Sequence, residues 1–353
     1  MSGSPKRALV FEKLRPGYGL AQRLNEQGIE VDLPFGPDSC LRRHDRIDED
    51  TLIELASGHH AIVGASAARV TRRVLAALPD LRVIAKIGIG YELIDVGAAT
   101  ELGVVVTNTP SPVEIDCVAE HAVALMLASI KRLDFYTTER MRSGGWLDEQ
   151  LRPATLRGRT VGLIGFGRIG QAVAERLRGW KVDVLVHDLI PLQLGADSSV
   201  RQVAMPELLR LADIVSLHVS SAIGAPPVLG PDELRLMKPS AIIVNTSRGG
   251  NIDQDALVDV LIAGQLGHAA LDVLRDEPTL PSDPILSPGL VIATPHLAAA
   301  TIDAEVDMER MAVENVSLTL DGLRPPGLLN AEVYDNGRLR GLSDRPDLMD
   351  SAS

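Results

Sequence analysis

The sequence predicts an α/β protein of two domains, the second a doubly wound parallel sheet, with the C-terminal part of the chain packing back on the first. Three observations carry this. Short apolar runs rich in β-branched residues alternate with helix-period segments along most of the chain, the pattern of parallel strands whose crossover helices cover both sheet faces. With 353 residues, 45% of them hydrophobic, the chain is too long for one ordinary core. A GxGxxG turn follows an apolar run at 160–164 and opens a helical segment, as the first crossover of a nucleotide-binding sheet does.

Taken in order, residues 8–11, 61–63, 82–85 and 104–106 read as strands with helical segments between them, one small α/β unit. Val118, Ala122, Leu125 and Met126 recur on one face of a helix predicted over 113–132, long enough to bridge two domains. Strands are predicted at 160–164, 182–187, 213–218, 241–245, 268–273 and 290–293, and six strands suit a doubly wound sheet. A helix over 302–320 and a Pro-containing turn follow, expected to pack back on the first domain. The expected division is 1–109 with 296–335 as a substrate domain, 110–295 as a dinucleotide domain, and 336–353, charged and without periodicity, as a mobile tail.

A net charge of −12 opposes binding to nucleic acid or an anionic membrane, since phosphate and protein repel. No stretch reaches membrane-spanning length, and the N-terminal apolar run at 8–11 is far short of a signal-peptide core. Cys40 and Cys117 lie far apart, without CxxC or Cys/His clustering. Neither a disulfide framework nor a metal site is expected, and a cytoplasmic location fits.

In TVGLIGFGRIGQAVAERL the three glycines of the GxGxxG turn are Gly165, Gly167 and Gly170. Gly165 allows a tight turn, Gly167 lets the backbone approach a pyrophosphate, and Gly170 permits close helix–strand packing. The N–H groups of the following helix face the phosphates. The next predicted strand ends at His187 and Asp188, eighteen residues past Gly170, where a ribose-binding acid belongs. Asp188 accepts from both ribose hydroxyls but repels a 2′-phosphate, and Leu189, Ile190 and Pro191 offer no counter-charge. The cofactor expected is therefore NAD.

Arg248, Glu277 and His296 fall just past the carboxyl ends of successive strands, where such a sheet opens its ligand crevice. Hydride chemistry at C2 of a 2-hydroxy or 2-oxo acid needs a carboxylate clamp, an acid/base and a group to orient it. Arg248 supplies a bidentate fork that also polarises the carbonyl. His296 supplies the acid/base, and a Glu277 carboxylate on one imidazole nitrogen fixes the tautomer and stabilises the protonated ring.

From about Ala61 to Tyr334 the chain resembles the D-2-hydroxyacid dehydrogenase family. KIGIGYELIDVGAATELGVVVTNTP is similar to the family's substrate-loop segment, VAEHAVALMLA to its interdomain helix and LRGRTVGLIGFGRIG to its nucleotide fingerprint. NTSRGGNIDQDALVDVL, AALDVLRDEP and TPHLAAAT are similar to its catalytic segments. The resemblance implies two Rossmann-like domains, the substrate domain built from both chain ends, and a homodimer. It implies that Arg248, Glu277 and His296 form the triad and that Asp272 meets the nicotinamide carboxamide. Amides around Ile89 and Gly90, with Tyr91, Arg248 and His296, would bind the substrate. Phe166, Arg168, Ile169, His218, Val219 and Thr246 would join Gly165, Gly167, Gly170, Asp188, Arg248, Asp272 and His296 around NAD.

This sequence departs from the family pattern at three places. Ser220, Ser221 and Ala222 replace a Pro, Leu, Thr run; Tyr91, Glu92 and Leu93 replace the usual Asp followed by Asn or His. Residues 64–68 carry none of the arginines of phosphoglycerate-specific members. The expected activity is interconversion of a small 2-oxo acid and its D-2-hydroxy acid. Two other readings stay open: an NAD-sensing corepressor-like protein, separated by turnover, and a formate- or phosphite-type dehydrogenase, separated by the effect of His296→Ala.

Overall fold

The computed structural model describes residues 5–11, 19–35, 47–64, 66–194, 199–220, 224–335 and 337–341. Cys40, Ala65, Ser221 and Ala222 lie outside them. The chain forms two compact units, one of Met1–Glu114 with Ile302–Ser353 and one of Ile115–Thr301. Described residues from both the N-terminal and the C-terminal part of the chain thus fall in the first unit.

The first unit is a five-stranded parallel sheet of β1 (Lys6–Val10), β2 (Ile29–Asp32), β3 (Ala61–Gly64), β4 (Val83–Lys86) and β5 (Val105–Thr107), in the order β2-β1-β3-β4-β5. That is a doubly wound order with its reversal between β1 and β3. Alternate strand residues serve opposite faces. Leu9, Ile62, Ile84 and Val106 pack with Leu52, Val74 and Leu75 on one side. Ala8, Val10, Val63, Ala85 and Val105 pack with Leu20, Leu24 and with Ala312, Val313 and Val316 of the helix Ile302–Leu320 on the other. Burial on both faces explains why these strands read as unbroken apolar runs. The sequence reading missed β2 because it is an edge strand: of IEVD only Ile29 is buried, and neither an apolar run nor an alternation results.

The second unit holds β6 (Thr160–Ile164), β7 (Asp183–His187), β8 (Val200–Gln202), β9 (Ile214–Leu217), β10 (Ile242–Asn245), β11 (His268–Leu271) and β12 (Val291–Ala293), all parallel. Their order, β12-β11-β10-β9-β6-β7-β8, is the dinucleotide-binding order extended by a seventh strand, with the reversal between β6 and β9. Six strands were expected; the further one, β8, is again a short edge strand whose VRQ carries no apolar pattern. The helix Pro112–Ile130 contributes Ala122, Leu125 and Met126 to the face formed by Val161, Leu163, Val184 and Val244. Leu208, Leu234 and Leu257 cover the other face. Among the described residues no helix is long and apolar enough to cross a membrane.

The expected mobile tail is corrected over its first part. Leu339 is buried, the Arg340 N–H donates to Gly103 O at 3.0 Å, and the Arg340 guanidinium donates to the carbonyls of Leu75, Leu78 and Leu81. One apolar side chain and a planar fork that satisfies carbonyls left over at a helix end are enough to dock this short segment. Residues 342–353 lie outside the described ones.

Candidate active site

The glycine turn shows a separate steric reason for each glycine. Gly165 has φ +91°, and a Cβ there would lie 2.5 Å from His218 O. A Cβ on Gly170 would lie 2.3 Å from Gly165 O, so helix Arg168–Leu177 packs on the turn only with glycine in place. Around Gly167 a Cβ would meet nothing within 4 Å. That open side, at the N-terminus of a ten-residue helix, is where a pyrophosphate fits. Phe166 and Ile169 are half-buried against the sheet, while Arg168 is exposed at the first helical position.

Asp188 stands just after β7, its Oδ2 accepting the Phe166 N–H at 2.8 Å. That bond, more than the burial opposing it, holds the carboxyl below the usual carboxylate range. A charged carboxylate thus stands beside the glycine turn, followed by Leu189, 94% exposed, and Ile190, 65% exposed. Two buried polar groups along the adjoining strand ends lack partners among the described residues: the Thr246 hydroxyl and both ring nitrogens of His218. An open glycine turn, an ionised acid and unspent polar atoms together fit a dinucleotide such as NAD.

His218 makes a testable statement about acid stability. Burial pushes its pKa down to about 4; part of the residue's surface is accessible, but both ring nitrogens are enclosed. A His whose folded pKa lies below its unfolded value contributes stability in full above about pH 6.5. That stability is lost as pH falls toward 4, by at most roughly 3 kcal/mol. Urea unfolding at pH 7 and pH 5 should show this loss, and His218→Asn should reduce it. Equal acid sensitivity of the two proteins would remove His218 as the cause.

The catalytic candidates stand on three loops. His296 Nδ1 lies 2.7 Å from Glu277 Oε2, and Glu277 Oε1 accepts the Leu274 N–H at 3.2 Å. A carboxylate only accepts, so Nδ1 carries hydrogen and Nε2 is directed elsewhere. The two side chains are 14% and 24% exposed, covered yet open to a small molecule. Arg248 follows β10 and is half-buried, its Nη1 donating to Ser247 O at 2.7 Å. A Cβ on Gly249 would lie 1.9 Å from Leu274 O. Only glycine therefore lets the Arg248 turn lie directly against the loop that carries Glu277.

Asn245, Gly249 and Thr294 support the site without having been singled out from the sequence. Asn245 is buried; its Nδ2 donates to Arg248 O at 2.9 Å and its Oδ1 accepts the Ser247 N–H at 3.0 Å. A polar residue closing an apolar strand was the available signal. Asp272, expected at the nicotinamide, is buried, and its carboxylate accepts from Thr294, Leu297 and Ala298. Val219 is half-buried, and its carbonyl accepts from Asn251 Nδ2.

In the first unit, the loop after β4 is pinned by Gly88 N–H to Thr109 Oγ1 at 2.7 Å and by Asn108 Nδ2 to Ile89 O at 2.9 Å. The Ile89 and Gly90 amides donate to no acceptor among the described residues. Tyr91 is exposed, and Lys86 donates to Ile87 O.

Residues 123–298 match the family described as D-isomer specific 2-hydroxyacid dehydrogenase, NAD binding domain. A glyoxylate reductase of Korarchaeum cryptofilum is 37% identical over 286 residues, 80% of this chain and 86% of that one. A D-3-phosphoglycerate dehydrogenase of Archaeoglobus fulgidus is 32% identical over 85% of this chain, which spans 55% of that protein's length. Among solved structures, an NADPH-dependent glyoxylate/hydroxypyruvate reductase from Sinorhizobium meliloti, in complex with NADP and malonate, has a TM-score of 0.77 and 29% identity, covering 94% of this chain and 98% of that one. Sheet order, glycine turn and family match agree: the chain belongs to the D-isomer specific 2-hydroxyacid dehydrogenase family, as an NAD-dependent oxidoreductase.

Proposed function

We propose that the protein reduces small, non-phosphorylated 2-oxo acids to D-2-hydroxy acids, with His296 as the acid/base, Arg248 as the carboxylate clamp and Glu277 as the orienting group. The observation that carries this reading is the 2.7 Å contact between His296 Nδ1 and Glu277 Oε2. With Nδ1 committed, the Nε2 proton goes to the carbonyl oxygen as C2 is reduced, and returns in the reverse direction. NADH, when bound, supplies the hydride to C2. Arg248 balances the substrate carboxylate and polarises the carbonyl. Asp272, Thr246 and His218 join the cofactor side, with Phe166, Val219 and the turn of Gly165, Gly167, Arg168, Ile169 and Gly170. The Ile89 and Gly90 amides, with Tyr91, serve the substrate carboxylate and a short C3 substituent.

The substrate class rests on charge. Burying a phosphate dianion requires cationic donors, and Gly64, Ser66, Ala67 and Ala68 offer none. Lys86 is already engaged with Ile87 O. The glyoxylate reductase relative supports this reading and the phosphoglycerate dehydrogenase relative opposes it. NADH oxidation should therefore be more efficient with glyoxylate or hydroxypyruvate than with 3-phosphohydroxypyruvate. NADH should outperform NADPH by at least about tenfold in kcat/KM, the ~1.4 kcal/mol that a carboxylate beside a 2′-phosphate would cost. Preference for the phosphorylated acid, or equal use of NADPH, would refute the respective half of the proposal.

A cytoplasmic homodimer belongs to the same reading. The dimer is supported by apolar side chains left exposed in the 133–147 segment, Trp146 at 77% foremost, which a second copy would cover.

A further inference from the structure

Three polar groups outside the triad converge on the backbone that carries His296. Asp272 is 1% exposed, and a buried carboxylate must find donors. Its Oδ1 accepts from Thr294 Oγ1 at 2.6 Å and from the Leu297 N–H at 2.9 Å, and its Oδ2 from the Ala298 N–H at 3.0 Å. The Asp272 carbonyl accepts the His296 N–H at 2.8 Å. All four donors belong to residues 294–298. Within that stretch His296 has φ +52°, in the left-handed region, which costs a non-glycine residue roughly 1–3 kcal/mol unless its surroundings impose it. Asp272 imposes it from both sides of the histidine.

Thr294 has one hydroxyl proton and two lone pairs. The proton is committed to Asp272, because two oxygens at 2.6 Å with no hydrogen between them would repel. His121, on the helix Pro112–Ile130, places Nε2 at 3.1 Å from Thr294 Oγ1 and 3.5 Å from Asp272 Oδ1. Facing a lone pair and a carboxylate, that nitrogen can only donate.

We propose that His121 is a positioning residue for the reaction. Its Nε2–H holds the Thr294 hydroxyl toward Asp272, and Asp272 in turn holds the 294–298 turn in the conformation that aims the His296 ring. Without His121 the Thr294 hydroxyl keeps only its bond to Asp272, the Asp272 carboxylate loses the N–H 3.5 Å from its Oδ1, and the turn loosens. A displacement of about 1 Å at a reacting group costs up to about 100-fold in rate, so a partial loosening should cost about tenfold. The inference rests on the role proposed above for His296, but its first test does not need turnover.

Nitrogen-15 NMR of the histidines in the full-length protein at neutral pH should show His121 with a proton on Nε2. A neutral Nδ1–H form would overturn the proposal whether or not the protein reduces 2-oxo acids. In steady-state kinetics, His121→Leu should lower kcat about tenfold at unchanged NADH Kd. His121→Gln, whose amide donor has nearly the same reach, should recover most of that loss. In a Thr294→Val background His121→Leu should cost much less than in the unmodified protein, since the two share a bond. Full kcat in His121→Leu, no recovery in His121→Gln, or the same loss in both backgrounds would each overturn it. If His121→Leu does not fold, Thr294→Val against Thr294→Ser carries the comparison: loss in the first and retention in the second is expected, and equal activities overturn the proposal. Absence of turnover in the unmodified protein would count against the proposed function and leave the tautomer result standing.

Discussion

Replacing His296 with Ala should lower kcat for 2-oxo acid reduction by about 10²–10⁴-fold, the range that positioned acid/base groups contribute. The carbonyl oxygen must gain a proton as C2 gains hydride, and the Glu277 contact at Nδ1 leaves Nε2 to deliver it. NADH binding should persist, because the groups proposed to hold the dinucleotide are the glycine turn and Asp188, bonded to the Phe166 N–H, whereas His296 is bonded to Glu277. Glu277→Gln keeps the shape of the contact and removes its charge. It should cost less in rate than His296→Ala, since the imidazole keeps a partner at Nδ1. Fluorescence titration with NADH and steady-state kinetics separate these effects. Retention of most turnover in His296→Ala would end the acid/base assignment, and full activity in Glu277→Gln would remove Glu277 from the triad.

Gly165→Ala should abolish cofactor binding and destabilise the protein together. At φ +91° an L residue is strained by roughly 1–3 kcal/mol. The added Cβ also falls 2.5 Å from His218 O and 2.7 Å from Val219 Cγ1, an overpacking of roughly 1–3 kcal/mol more. Backbone cannot yield there as the end of a flexible side chain could. Gly167→Ala provides the contrast, because its Cβ enters open space and the residue's φ is −71°. That variant should melt like the unmodified protein yet bind NADH more weakly, since the new methyl group occupies the side proposed for the pyrophosphate. Thermal unfolding and NADH titration of the pair decide the matter. A Gly165→Ala protein with unaltered melting and affinity would show that the turn is not held as described.

Both sheets and most of their strands were legible in the sequence because buried parallel strands must be apolar on both faces, as Ala61–Gly64 and Ile242 to Val244 are. The edge strands Ile29–Asp32 and Val200–Gln202 were not, because a half-covered strand carries no such constraint. Docking of Leu339 and Arg340 was likewise hidden: carbonyls at the end of a distant helix are invisible to a local pattern.

The sequence by itself determined the fold class, the glycine turn with its acid at Asp188, and the residue types Arg248, Glu277 and His296, because each follows from local period or from spacing along one strand–turn–helix unit. Tertiary structure alone decided how the 272–298 region works. The close approach of Gly249 to Leu274 O, the left-handed backbone of His296, and the gathering of Thr294 and Asp272 with His121, 173 positions away from Thr294, follow from no local pattern. Such contacts are specified by how strands and helices pack. A hydrogen bond of that kind leaves no periodicity in the chain to be read.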